Sequence, residues 1–214
     1  GLSVLQSDLP KYVKGELDLH CSIDEVMTRA DVVSLHFPLV TKGHYSTDQL
    51  IDIRVLSQMK SRSLLINAAR GSVLSENAIL SVLFPDLVLD VFPKEPFVSD
   101  ALLERVWRVT PHIAGHSAEG KLNGTEIILG AYSRFAGTQL SPFNREKLLQ
   151  EVAGPSPTGD NFIVQLKTID RFDLVDRVMH QKLLNNSDRK AAFDVTRDSY
   201  RLRRETTPIV NDSF

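Results

Sequence analysis

SLLINAARGSVLSENAILSVLFPDLVLDV, residues 63–91, holds two apolar runs with a helical segment between them. The runs Ser63-Leu64-Leu65-Ile66 and Asp86-Leu87-Val88-Leu89-Asp90-Val91 do not alternate apolar with polar, so both of their faces read as buried. Residues 75–83 between them read as a helix. Strand, helix and strand in this order predict a parallel sheet with helices on both faces.

The same texture continues on either side. Upstream, residues 31–36 (DVVSLH) form a β-branched run stopped by Pro38, and Ser22 with Glu25 makes a capping box that opens a helix through Arg29. Residues 48–59 read as a further helix. Residues 2–7 read as a first strand, closed by Asp8 and Pro10. Downstream, 99–105 predicts a short helix, 106–109 a last strand and 117–135 a longer helix. These elements define a doubly wound α/β domain over residues 1–137. After Gly137 the pattern changes: Ser141-Pro142 and residues 154–159 (GPSPTG) are loop punctuation. A strand at 162–169 and helices at 174–184 and 188–201 make 138–214 a small α+β domain. Arg197, Arg201, Arg203 and Arg204 near its end read as a solvated helix face.

Composition limits the function classes. Among 214 residues, 25 Lys and Arg face 27 Asp and Glu, a formal net charge of −2, which gives no electrostatic case for a nucleic-acid binder. Hydrophobic residues make up 42% and mean hydropathy is −0.11, enough for a packed core. The longest apolar runs, such as 127–131, are far shorter than a membrane span. Cys21 is the only cysteine, so no internal disulfide forms, and no spacing of Asp, His or Cys matches a metal site. A cytoplasmic globular protein is the expectation. The chain opens Gly1-Leu2-Ser3-Val4 directly on an apolar run, and the expectation from this is a fragment.

In an open parallel sheet, ligands bind at the carboxyl ends of the strands. The loops following the predicted strands hold Asp8, then His36-Phe37-Pro38-Leu39, then Asn67-Ala68-Ala69-Arg70-Gly71, then residues 90–96, then Thr110-Pro111-His112-Ile113-Ala114-Gly115. Arg70 can grip a carboxylate through two parallel hydrogen bonds, against the plainer reading of a surface arginine. His112 can shuttle a proton near neutral pH, and Glu95 can pair with it and fix its tautomer. Together the three suit interconversion of a 2-hydroxy acid and its keto acid, which needs a hydride acceptor that side chains do not supply. Asp8 suits the ribose hydroxyls of NAD, although a turn-forming Asp is the commoner use of such a residue. Asp90 suits a nicotinamide carboxamide or its own strand end.

Four stretches, DVVSLHFPL (31–39), LINAARG (65–71), LDVFPKEP (89–96) and TPHIAG (110–115), resemble the D-isomer-specific 2-hydroxyacid dehydrogenases. The resemblance implies a Rossmann-like sheet with Arg70, Glu95 and His112 as catalytic residues. It implies NAD contacts from Asp8, Phe37, Asn67, Ala68, Ala69, Arg70, Asp90 and Gly115. Residues 116–121 (HSAEGK), Gly124-Thr125 and the tail 200–205 (YRLRRE) are most similar to the branch acting on 4-phospho-D-erythronate. That implies oxidation to the 2-oxo acid on the route to pyridoxal phosphate, substrate binding at His116, and a homodimer formed through residues 138–214. The alternatives are another 2-hydroxy acid such as 3-phosphoglycerate, or a non-catalytic chain that only dimerises. The family's Gly-x-Gly-x-x-Gly loop is expected upstream of Gly1, so the chain by itself is expected to bind NAD poorly and to be unstable.

Overall fold

The computed structural model describes residues 2–138, 143–152, 172–184 and 186–205. Four of the predicted apolar runs form strands: β1 (Val32–Leu35), β2 (Leu64–Asn67), β3 (Asp86–Leu89) and β4 (Arg108–Val109). All pair in parallel, in the order β1-β2-β3-β4. The register sets Leu35 beside Asn67, Asn67 beside Leu89, and Leu89 beside Val109. The loops that follow all four strands therefore leave from one edge of the sheet.

Helices connect the strands: α1 (Leu9–Val13) and α2 (Ile23–Arg29) precede β1, and α3 (Ile53–Leu56), α4 (Glu76–Ser81) and α5 (Asp100–Arg105) form the three crossovers. The strands follow one another in space as they do in sequence. Right-handed crossovers that all step the same way place their helices on one face. The burial shows it: Val33, Leu35, Leu65, Leu87, Leu89 and Val109 are buried, while Val32, the residue before Val33, is 57% exposed. The expectation of strands buried on both faces holds for one face only, because no reversal of strand order occurs among the described strands.

Two further corrections concern local structure. Residues 2–7 form no strand, and Leu2 and Val4 are exposed, because no described strand offers this segment a ladder. The helix expected over 48–59 shrinks to α3, capped by Asp52, whose Oδ1 accepts from the Val55 N–H at 2.8 Å. Gln49 sits at φ +48, outside any helix, and residues 49–51 run beside 72–75 instead, with Ile51 N–H donating to Val73 O at 3.0 Å.

Contacts divide the chain into two units. The first comprises Gly1–His112 and Val175–Arg197 and holds the sheet. Its core runs through Met27, Leu56, Leu65, Ile79, Leu87 and Leu103, and takes in Met179 and Leu183 of α8 (Phe172–Leu184) with Phe193 of α9 (Arg189–Asp198). The contacts divide the chain after His112 rather than at 137/138, and residues 175–197 join the first unit because α8 and α9 bury their apolar faces in its core.

The second unit comprises Ile113–Leu174 and Asp198–Phe214. It contains α6 (Ala118–Ala136), capped by Ser117 and ended by Gly137 at φ +61, and α7 (Arg145–Glu151). Arg201, Arg203 and Arg204 lie beyond α9, not on a helix face. Arg204 is held by Glu119, and its Nη1 donates to Leu149 O at 3.0 Å. The strand expected at 162–169 and the loops at 141–142 and 154–159 lie outside the described residues.

Candidate active site

Three loops at the carboxyl edge of the sheet build the site within the first unit. Asn67, the last residue of β2, is buried, and its amide shapes the loop behind it. Oδ1 accepts from the Ala69 N–H and Nδ2 donates to Arg70 O, both at 3.1 Å. Asn67 thus spends both ends of its amide on the turn that presents Arg70. The Arg70 side chain is exposed; its Nη1 donates to Ala69 O at 2.7 Å, and it has no carboxylate partner among the described residues. Gly71 then lies against the next loop, where a Cβ would stand 1.8 Å from Phe92 O. Only glycine permits that approach.

Asp90 follows β3 and is buried at 6% exposure. Its Oδ1 accepts from the Thr110 hydroxyl at 2.5 Å, and its backbone O accepts from the His112 N–H at 2.9 Å. Farther along the same loop, both Glu95 oxygens are engaged. Oε1 accepts from the Phe92 N–H at 2.7 Å, and Oε2 lies 2.8 Å from His112 Nδ1.

His112 has φ +56, a left-handed conformation that costs free energy outside glycine. The N–H bond to Asp90 O, a second at 3.1 Å to Thr110 O, and the ring contact with Glu95 hold it there. An ionised carboxylate only accepts, so in the neutral imidazole the proton resides on Nδ1 and Nε2 carries the lone pair. The His112 side chain is 28% exposed and that of Glu95 23%, so both are part-buried.

The structure brings Arg70, Glu95, His112, Asp90 and Asn67 to one sheet edge. It does not place Asp8 at a strand end. Asp8 caps α1, accepting from the Lys11 N–H at 3.0 Å, with Lys11 Nζ at 3.6 Å. Ala68 and Ala69 line the turn after β2. Phe37 is half-buried and packs on the core. Gly115, at φ +76, and His116 belong to the second unit, where the His116 ring meets Tyr200 edge-on at 5.8 Å. Thr110, named by the sequence only as part of its loop, holds the Asp90 carboxylate; its place directly after a strand was the available signal. Two clefts, of about 360 and 560 Å³, lie elsewhere in the first unit and are lined by none of Arg70, Glu95 and His112.

Residues 5–114 match the family described as D-isomer specific 2-hydroxyacid dehydrogenase, NAD binding domain. The chain is 34% identical over 225 residues to an erythronate-4-phosphate dehydrogenase of Pseudoalteromonas translucida (strain TAC 125), covering 99% of this chain and 58% of that one. It is 37% identical over 190 residues to one of Marinobacter nauticus (strain ATCC 700491 / DSM 11845 / VT8), covering 84% and 50%. It thus spans about half the length of these curated relatives. Among solved structures, D-lactate dehydrogenase from Aquifex aeolicus complexed with NAD and lactic acid is 26% identical with a TM-score of 0.45, covering 68% of this chain and 48% of that one.

Proposed function

Because this chain belongs to the D-isomer-specific 2-hydroxyacid dehydrogenase family through its NAD-binding domain, we propose that the whole protein oxidises 4-phospho-D-erythronate to 2-oxo-3-hydroxy-4-phosphobutanoate with NAD. The observation that carries the reaction type is the 2.8 Å contact between His112 Nδ1 and Glu95 Oε2 at the carboxyl edge of the sheet. It leaves Nε2 as the base. In oxidation, Nε2 takes the hydroxyl proton, and Glu95 stabilises the imidazolium that results. Arg70, exposed and without a competing carboxylate among the described residues, holds the carboxylate of the substrate. NAD, when bound, supplies the acceptor for the hydrogen and electron pair leaving the same carbon.

A buried carboxylate at the sheet edge, Asp90, fits the carboxamide end of NAD. The Asn67–Arg70 turn, Phe37 and Gly115 complete its proposed contacts. Asp8 caps α1 through Oδ1 and keeps further lone pairs for ribose hydroxyls. The substrate choice rests on the erythronate-4-phosphate dehydrogenases among the relatives, with His116 as the proposed phosphate contact and pyridoxal phosphate synthesis as the proposed route. A homodimer is proposed through residues 138–214, and the cytoplasm as location. No helix among the described residues is long and apolar enough to cross a membrane.

The test is turnover of 4-phospho-D-erythronate and of 3-phosphoglycerate by the whole protein, followed by NADH absorbance. Preference for the first is expected; preference for the second moves the assignment to that substrate, and no turnover of any 2-hydroxy acid removes the enzyme reading. His112→Ala is expected to lower kcat by roughly 10²–10⁴-fold with NAD affinity little changed. Equal losses in both would remove the base role.

A further inference from the structure

β4 is a two-residue strand at the edge of the sheet among the described residues, and the segment carrying His112 starts at the next residue, Thr110. An edge strand leaves backbone groups that need partners from outside the sheet. Trp107 and Thr110 donate their N–H groups to Leu87 O and Leu89 O of β3, each at 3.0 Å. Val109 does not: its N–H donates to Asp176 Oδ1 at 2.8 Å, on α8, 67 residues away in sequence. Asp176 is itself buried at 8% exposure. Its second oxygen lies 3.7 Å from Arg108 Nη1, and His180 Nδ1 lies 3.4 Å from Oδ1. His180 is anchored in turn, with Nδ1 2.9 Å from Asp176 O and Nε2 3.2 Å from Leu103 O.

Helix α9 does the matching work on the other loop. The Phe193 ring meets Phe92 edge-on at 6.0 Å, and Phe92 supplies the N–H that Glu95 Oε1 accepts. Arg189 Nη1 donates to Val98 O at 2.8 Å, three residues past Glu95. Each member of the His112–Glu95 pair is therefore braced three residues away by a helix that lies far off in sequence.

We propose that Asp176 is a positioning residue for His112: by holding the Val109 N–H from outside the sheet, its carboxylate sets the point from which the strained His112 turn departs and so keeps Nδ1 within reach of Glu95. This rests on the proposed role of His112 for its kinetic consequence, but not for its structural one. A misplacement of about 1 Å at a reacting group costs turnover up to roughly 100-fold. Asparagine keeps an oxygen for Val109, whereas alanine has none.

The experiment compares Asp176→Ala and Asp176→Asn in the whole protein. The readouts are the low-field proton resonance of His112 Nδ1–H, hydrogen exchange at the Val109 amide, kcat, and KM for NAD. In Asp176→Ala the resonance is expected to disappear, Val109 exchange to accelerate at least tenfold, and kcat to fall roughly 10–100-fold with KM for NAD unchanged. Asp176→Asn is expected to restore all of these. An unchanged resonance in the alanine variant overturns the proposal, whatever happens to kcat. A loss in both variants alike overturns it too, since the acceptor oxygen would then not be what matters. If the alanine variant does not fold, His180→Gln replaces it. That change loosens the Asp176 carboxylate and is expected to broaden the same resonance; an unaltered line refutes the brace. If the unmodified protein turns over no 2-hydroxy acid, the proposed function fails, while resonance and exchange still decide the positioning.

Discussion

Replacing Gly71 with alanine tests whether the turn carrying Arg70 and the loop carrying Glu95 function as one packed unit. The added Cβ would stand 1.8 Å from Phe92 O, 2.1 Å from Phe92 C and 2.7 Å from Pro93 N. A carbon and a carbonyl oxygen approach to about 3.3 Å, so the two backbones must separate by about 1.5 Å. The obstacle is backbone on both sides, so no side-chain rotation relieves it. Overpacking of this kind costs about 1–3 kcal/mol, or roughly 2–12 °C in melting temperature for a chain of this size. Arg70 is the residue before Gly71, and the Phe92 N–H anchors Glu95, so the separation acts directly on the distance between Arg70 and the Glu95–His112 pair, the proposed carboxylate clamp and base. Turnover is expected to fall by roughly 100-fold. The assay is steady-state NADH production beside calorimetric melting, with Ser72→Ala as the neighbouring control. Turnover and melting both equal to the parent would refute the packing argument. A lowered melting point with unchanged turnover would refute the assignment of these loops to the site.

Two further outcomes follow from contacts that arginine side chains make. Burial pushes the Glu119 carboxyl up, but Arg204 and the N–H groups of Glu205 and of Glu119 itself outweigh it, leaving the pKa below its ordinary 4.5. A pKa lowered on folding contributes stability that is complete above the ordinary value and is lost as pH falls through the folded value. Amide exchange at Glu205 and Ala118, which tie residues 203–205 to the start of α6, should therefore accelerate beyond the intrinsic trend below about pH 4.5. Glu119→Gln should show the loosening already at neutral pH, and rates identical in the two proteins would contradict this. Arg105 donates from Nε and Nη2 to Val82 O and from Nη2 to Pro85 O, at 2.7 to 3.1 Å. Arg105→Met should destabilise by about 2–3 kcal/mol in denaturant unfolding without changing kcat per folded molecule; a smaller loss would mean water replaces the guanidinium.

Much of the sheet was legible because apolar runs at 32–35, 64–67 and 86–89 cannot be satisfied in water, and their spacing leaves room for one crossover each. Ser22 announced its helix because N-capping is local chemistry, settled within three residues; Ser99 and Ser117 cap theirs in the same way. That Arg70, Glu95 and His112 share one sheet edge was legible too, since each sits a few residues past a readable strand. Residues 2–7 and 48–59 misled because their apolar content is real while their partners are not local. The first finds no ladder, and residues 49–51 lie alongside 72–75. What only the tertiary structure decided depends on residues distant in sequence: the clash that reserves position 71 for glycine, the left-handed turn at His112, and the Asp176 carboxylate on Val109. A strand's residues declare that it will be buried, but which group meets its outermost N–H depends on a helix that arrives from another part of the chain.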